Sequence, residues 1–395
     1  MTATLDDILT RAGAELIPYD RWEVVNTFGE PQAEYAAIRK ASGLIDLPYR
    51  GVLELTGKDR HAFLNNLVSN EVYNKDAKLP PAVGTWRYAF LLNVGGRIVA
   101  DLNVLELEDK TWLEVDARLL QTLAAFLDGY LFAEQVKISQ LEQIHAMALH
   151  GPLANDILRA ETDTTLSHGE CKTLSLLGQS IVAYRDDVCG EIGIGLLMPN
   201  DAAPTIWQHL VNRHGGGERQ GGDPKRSLKP IGWAAFNACR IEAGRPLFGI
   251  DFELADPPRR GPKPSEEVVQ KMRGILPAET GLLDRAVSFT KGCYLGQEVV
   301  ARMHARGGLA RKLVGLRVEG GYLPIAGEPV LNADHQPIGA ITSSTMSPLL
   351  SDAAIALALV KKPFFELGKE VVVPAEGAMR VARVVELPFI RKETP

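Results

Sequence analysis

Apolar positions recur with two different spacings along this chain, and the changes of spacing mark out its elements. Within residues 32–42, Tyr35, Ile38 and Ala41 fall three apart, which predicts a helix with one apolar side. Residues 51–55 read as a strand. Residues 55–59 then open a second helix, with Asp59 as its cap and Phe63, Leu64 and Leu67 as its apolar stripe. Residues 86–93 and 98–107 are β-rich runs around Val94-Gly95-Gly96-Arg97, and two glycines so placed predict a hairpin. Residues 213–222, crowded with glycine, read as an exposed loop or linker. Residues 256–263 carry three prolines, each lacking a backbone donor, and predict an inserted surface loop. Past Gly308 the pattern becomes short β runs (312–318, 339–343, 354–360, 370–373, 379–385), which predicts a small all-β domain closing the chain.

The hairpin makes a prediction of its own. If Val94 pairs with Arg97, Phe90 lies opposite Asp101 and Tyr88 opposite Asn103. Tyr88, Phe90, Asp101 and Asn103 then share one side, while Ala100, Leu102 and Val104 pack on the other. Burying an unpaired carboxylate is costly. Asp101 therefore either faces a cavity that holds a polar ligand, accepting a hydrogen bond or acting as a base, or stands on a solvated face.

At 395 residues the chain exceeds the ~250–300 that one core organises, so two or three domains are expected. Apolar residues at 46% and charged residues at 23% place it among ordinary globular proteins. The longest apolar run, 353–360, falls far short of the ~18 residues of a membrane span. Asp6, Asp7 and Glu15 near the start do not read as a signal peptide, so a cytoplasmic location is expected. A formal charge of −6 disfavours nucleic acid as a partner. Cys171, Cys189, Cys239 and Cys293 are too scattered for a disulfide framework or a zinc site.

The octet Lys291-Gly292-Cys293-Tyr294-Leu295-Gly296-Gln297-Glu298 runs into a helical pattern. Cys293 thus precedes a helix N-terminus and follows a lysine by two residues, a setting that favours thiolate; the bland reading is an inert buried thiol. Arg240 and Glu242 form either a structural ion pair or part of a ligand site. The basic run Arg302, His304, Arg306, Arg311 and Lys312 is either an anion site or a solvated helix end. The remaining histidines lack metal-ligand spacing, and no glycine-rich phosphate loop is present.

The octet resembles the signature of YgfZ-type folate-binding proteins, a group linked to iron–sulfur cluster assembly and repair. Residues 41–46, 93–102, 240–249, 277–282, 341–343 and 347–360 resemble the wider glycine-cleavage T-protein (aminomethyltransferase) superfamily. The resemblance implies an α+β, three-domain cloverleaf around a tetrahydrofolate channel. Its first two domains are interleaved (1–56 with 144–232, and 57–143 with 233–308) and a C-terminal β-barrel spans 309–395. It implies that Asp101 contacts the folate amine with Tyr88 beside it, and a cofactor-binding set of Tyr88, Asp101, Asn103, Arg240, Lys291 and Tyr294. Asp101 and Cys293 would be the catalytic groups. Two polar anchors of T-proteins are replaced here, a glutamate by Gly195 and an arginine by Phe236. The expected function is tetrahydrofolate binding in iron–sulfur cluster assembly or repair, with folate and iron–sulfur client or carrier proteins as partners and no membrane. Its rivals are a folate-dependent aminomethyl- or methyltransferase and a non-catalytic module with a vestigial channel.

Overall fold

A computed structural model describes residues 4–215, 228–252 and 274–391. The expected loop at 256–263, and residues 216–222 of the expected linker, lie outside the described residues. Arg213 and His214, read as the start of that linker, instead end the helix Ala203–His214. The apolar stripe Ile206, Trp207 and Leu210 carries the helix that far into the six-stranded sheet's core, although its last residues are polar.

The chain divides into two compact units, each discontinuous in sequence: residues 1–60, 82–86 and 103–239, and residues 61–81, 87–102 and 240–395. In the first unit a six-stranded sheet runs Cys171–Leu176, Gln179–Arg185, Gly193–Pro199, Ile144–His150, Ser42–Asp46, Leu228–Pro230. Only the last strand pairs parallel to its neighbour. Its core holds Leu44, Met147, Leu149, Leu196, Ile206 and Trp207. The helix expected over 32–42 spans Pro31–Lys40, with Tyr35 and Ile38 buried. The strand expected at 51–55 spans Arg50–Thr56 and lies between Thr111–Asp116 and Lys137–Leu141. The carboxylate of Asp59, expected as a helix cap, accepts from the Gln135 N–H at 2.7 Å.

In the second unit six strands close a barrel in the order Arg311–Val318, Ala353–Lys361, Pro337–Ser347, Pro329–Leu331, Glu370–Ala375, Ala378–Val385. The five β runs read from the sequence are all present. The three-residue strand Pro329–Leu331 is additional, too short to show a period of two. Inward-facing Val314, Leu316, Ile341, Ala356, Ala358 and Val373 fill the interior.

Candidate functional site

The hairpin strands span Trp86–Leu92 and Ile98–Glu106. Their connection is not the two-glycine turn expected. The Asn93 N–H donates to the Arg97 carbonyl and the Gly96 N–H to the Asn93 carbonyl, both at 2.9 Å. Three residues, Val94 to Gly96, therefore bridge the strands, with Gly96 left-handed at φ +70°. A Cβ on Gly96 would stand 2.7 Å from the Val299 Cβ, on the helix Gln297–Arg306. The side-chain hydrogen bonds between the strands run from the Tyr88 phenol to Asp101 and from the Trp86 indole to Asn103, where Phe90 opposite Asp101 and Tyr88 opposite Asn103 were expected.

In the second unit, the Tyr88 phenol donates to Asp101 Oδ2 at 3.0 Å. Both residues are 8% exposed, and every residue of Ile98–Glu106 is buried, so Asp101 does not stand on a solvated face. Phe90 meets the Tyr88 ring edge-to-face at 5.6 Å, and the Arg285 guanidinium lies 4.6 Å from the Tyr88 ring centre. Sequence reasoning missed Arg285, because nothing in Leu283-Asp284-Arg285-Ala286 announces a contact with a strand two hundred residues earlier.

In the first unit, Asn103 is a junction. Its Oδ1 accepts from the Trp86 indole at 3.0 Å, and its Nδ2 donates to Glu114 Oε2 at 2.6 Å and to the Tyr184 hydroxyl at 3.5 Å. Arg50 grips the same Glu114 through both of its oxygens. The carboxamide is thus engaged at both ends. Burial, followed by the charge of Glu114, holds the Tyr184 phenol well above its ordinary pKa. Tyr184 also explains Gly195: a Cβ there would lie 2.4 Å from the phenol ring, so no longer side chain fits. Phe236 packs on His150 and Trp233, with ring centres 5.3 and 5.6 Å away. Complete burial pushes the His150 imidazole down to about 4. Its ring takes room left by glycine, since a Cβ on Gly193 would stand 3.0 Å from its Nδ1.

The octet places its lysine away from its thiol. Lys291 is 7% exposed and donates to the carbonyls of Asn65, Val68 and Asn70 at 2.7, 2.6 and 2.9 Å. These carbonyls follow the helix Arg60–Asn65, where backbone acceptors have lost their helical partners. Burial, with the Lys75 charge adding to it, pushes the Lys291 pKa down to about 7. Tyr294 lies 4.9 Å below that ammonium, and burial raises its phenol to about 12. Cys293 is exposed, which rules out the inert buried reading; Cys171, Cys189 and Cys239 are buried. Lys75 donates to the Cys293 backbone carbonyl at 3.5 Å.

Arg240 is fully buried. It pairs with Asp251 and donates to Ser343 Oγ at 2.5 Å, while Glu242 accepts from Ser347, so this cluster ties its helix to the barrel strand Pro337–Ser347. Of the basic run, Arg311 pairs with Glu279 at 3.2 Å and His304 stacks on Phe289 at 3.9 Å. Among the described residues no group of three or more His, Cys, Asp and Glu could hold a metal, and no helix is long and apolar enough to cross a membrane. His145 and His209 serve carboxylates instead, meeting Asp46 at 2.5 Å and Glu161 at 2.8 Å respectively.

The GCVT N-terminal domain matches residues 5–260, and the glycine cleavage T-protein C-terminal barrel domain matches residues 311–390. This chain belongs to the glycine cleavage T-protein family. A protein named aminomethyltransferase from Caldanaerobacter subterraneus is 29% identical over 396 residues, covering 98% of this chain and 95% of its own length. Another of that name from a Synechococcus species is 28% identical over 399 residues, covering 98% of each. The crystal structure of the glycine cleavage system aminomethyltransferase T from Bartonella henselae superposes with a TM-score of 0.80 at 23% identity, covering 99% of this chain and 98% of the other. The T-protein fold, mixed α and β with a closed C-terminal barrel, is therefore shared along nearly the whole chain.

Proposed function

We propose that this T-protein family member is a tetrahydrofolate-dependent one-carbon transferase of the aminomethyltransferase type, in which Asp101 holds the folate amine that receives the carbon. The buried Tyr88–Asp101 pair carries this reading, set in a chain whose relatives are named aminomethyltransferases. A desolvated carboxylate is a strong acceptor for an amine N–H and, being raised in basicity by burial, can take a proton as the nitrogen forms its new bond. The Tyr88 phenol holds the carboxylate in one rotamer, so the amine meets it already oriented, and orientation supplies much of the rate in such transfers. Tetrahydrofolate enters as substrate and acceptor of the carbon. The interleaved three-domain division described from the sequence belongs to the same proposal.

The test is formation of methylene-tetrahydrofolate by the full chain. Asp101→Asn, which keeps the shape and loses the charge, is expected to abolish it. Product formed equally well by that variant would remove Asp101 from the mechanism. If tetrahydrofolate failed even to raise the melting temperature of the wild type, the non-catalytic reading would replace this one, since a ligand of the native state must stabilise it.

The exposed Cys293 favours a second reading, tetrahydrofolate binding in iron–sulfur cluster assembly or repair, in which the octet presents its thiol to a client or carrier protein. A strain lacking the protein and rescued equally by wild type and Cys293→Ala would remove that role.

A further inference from the structure

We propose that Arg285 is a positioning residue for the Tyr88–Asp101 pair: its guanidinium pins the phenol ring and, by drawing charge through the ring face, strengthens the O–H bond donated to Asp101. The inference rests on the folate-transferase reading for its use, and on second-unit geometry alone for its substance. The guanidinium carbon lies 4.6 Å from the Tyr88 ring centre, within the range of a cation–π contact. The arrangement is built, because residues 69–70 clamp both partners. Asn70 Nδ2 donates to the Tyr88 carbonyl at 2.9 Å and to the Arg285 carbonyl at 3.0 Å. The Ser69 hydroxyl accepts from the Phe90 N–H at 2.8 Å and donates to the Ala286 carbonyl at 2.6 Å. Phe90 meets the same ring edge-to-face, with centroids 5.6 Å apart. The Tyr88 side chain thus meets the guanidinium over its ring, Phe90 edge-to-face and Asp101 at its hydroxyl.

The chemistry follows from the order of the three groups. A cation over the face of a phenol makes its O–H more acidic, and a more acidic O–H is the better donor to a carboxylate. Donation to the ionised form favours that form, so Asp101 is held more acidic than burial alone would leave it. Arg285 thereby sets how readily Asp101 gives up or takes a proton at its amine, without touching the substrate itself.

The experiment is a carbon-detected NMR titration of the Asp101 carboxyl in wild type, Arg285→Gln, Arg285→Lys, Tyr88→Phe and the Tyr88→Phe/Arg285→Gln double variant, with no folate present. Arg285→Gln is expected to lower the acid dissociation constant of Asp101 by roughly threefold to thirtyfold, the range of a cation–π contact. Arg285→Lys keeps the charge and should restore most of the wild-type value. In the Tyr88→Phe background the same arginine change should move Asp101 clearly less, because the hydroxyl that transmits the effect is gone. A midpoint unmoved in Arg285→Gln, or moved equally with and without the hydroxyl, overturns the proposal. Tetrahydrofolate affinity is measured on the same proteins. A wild type that does not bind overturns the function proposed above, while the titration still decides the role of Arg285.

Discussion

Lowering the pH from 7 to 5 puts the burial of His150 to a direct test. The imidazole is enclosed beside Phe236, and burial brings its pKa from 6.5 to about 4, with Asp186 and Asp187 opposing that shift only in part. Below pH 6.5 the unfolded chain therefore takes up a proton that the folded chain refuses. Because the unfolded state binds more protons in this window, stability falls as the pH falls. The loss begins near 6.5 and is complete near 4. At pH 5 the unfolded histidine is nearly all protonated and the folded one about nine-tenths neutral, which gives a loss of about 2 kcal/mol relative to pH 7. The assay is urea unfolding at pH 7 and pH 5 on wild type and His150→Leu. The leucine variant has no proton to take up there, so its stability should fall by about 2 kcal/mol less over the interval, whatever its stability at pH 7. Equal losses in the two proteins would show that His150 titrates normally in the fold and refute the argument from burial.

Two further substitutions probe buried charge in the second unit. Lys291→Met leaves three carbonyls without their donor and should cost about 3 kcal/mol at pH 7, read from the urea midpoint. The wild type should also gain stability between pH 7 and pH 10, where the unfolded lysine keeps a proton the folded one releases, and the variant should lack that gain. Arg240→Met strands Asp251 as an uncompensated buried charge and should cost about 3–5 kcal/mol in the same assay.

The hairpin and the barrel were readable in the sequence because both rest on local pattern, alternation within a strand and glycine at a turn. Alternation put Tyr88 and Asp101 on one side of the hairpin, but it set Phe90 opposite Asp101, whereas the group that bonds the carboxylate is the Tyr88 phenol. What could not be read are contacts set by distant partners. Asn103 was expected at a ligand, and no spacing signals that Trp86, Glu114 and Tyr184 converge on its carboxamide. Lys291 stands two residues from Cys293, and proximity in sequence suggested a thiolate partner. The carbonyls that claim it lie more than two hundred residues earlier. Arg240 was weighed against its near neighbour Glu242, whereas the ion pair that buries it is with Asp251. Arg213 and His214, followed by glycines, resembled a linker, because the apolar stripe that makes them helical lies wholly upstream.

The closed barrel has one more consequence. A ring of six paired strands has no edge strand of the kind that recruits a foreign one, which takes away the usual starting point of templated aggregation. The six-stranded sheet does have two ends, and each carries a deterrent. Cys171–Leu176 exposes Lys172, and Leu228–Pro230 closes on a proline that has no N–H to offer. Strand invasion is thus guarded against by topology in one sheet and by residue choice in the other.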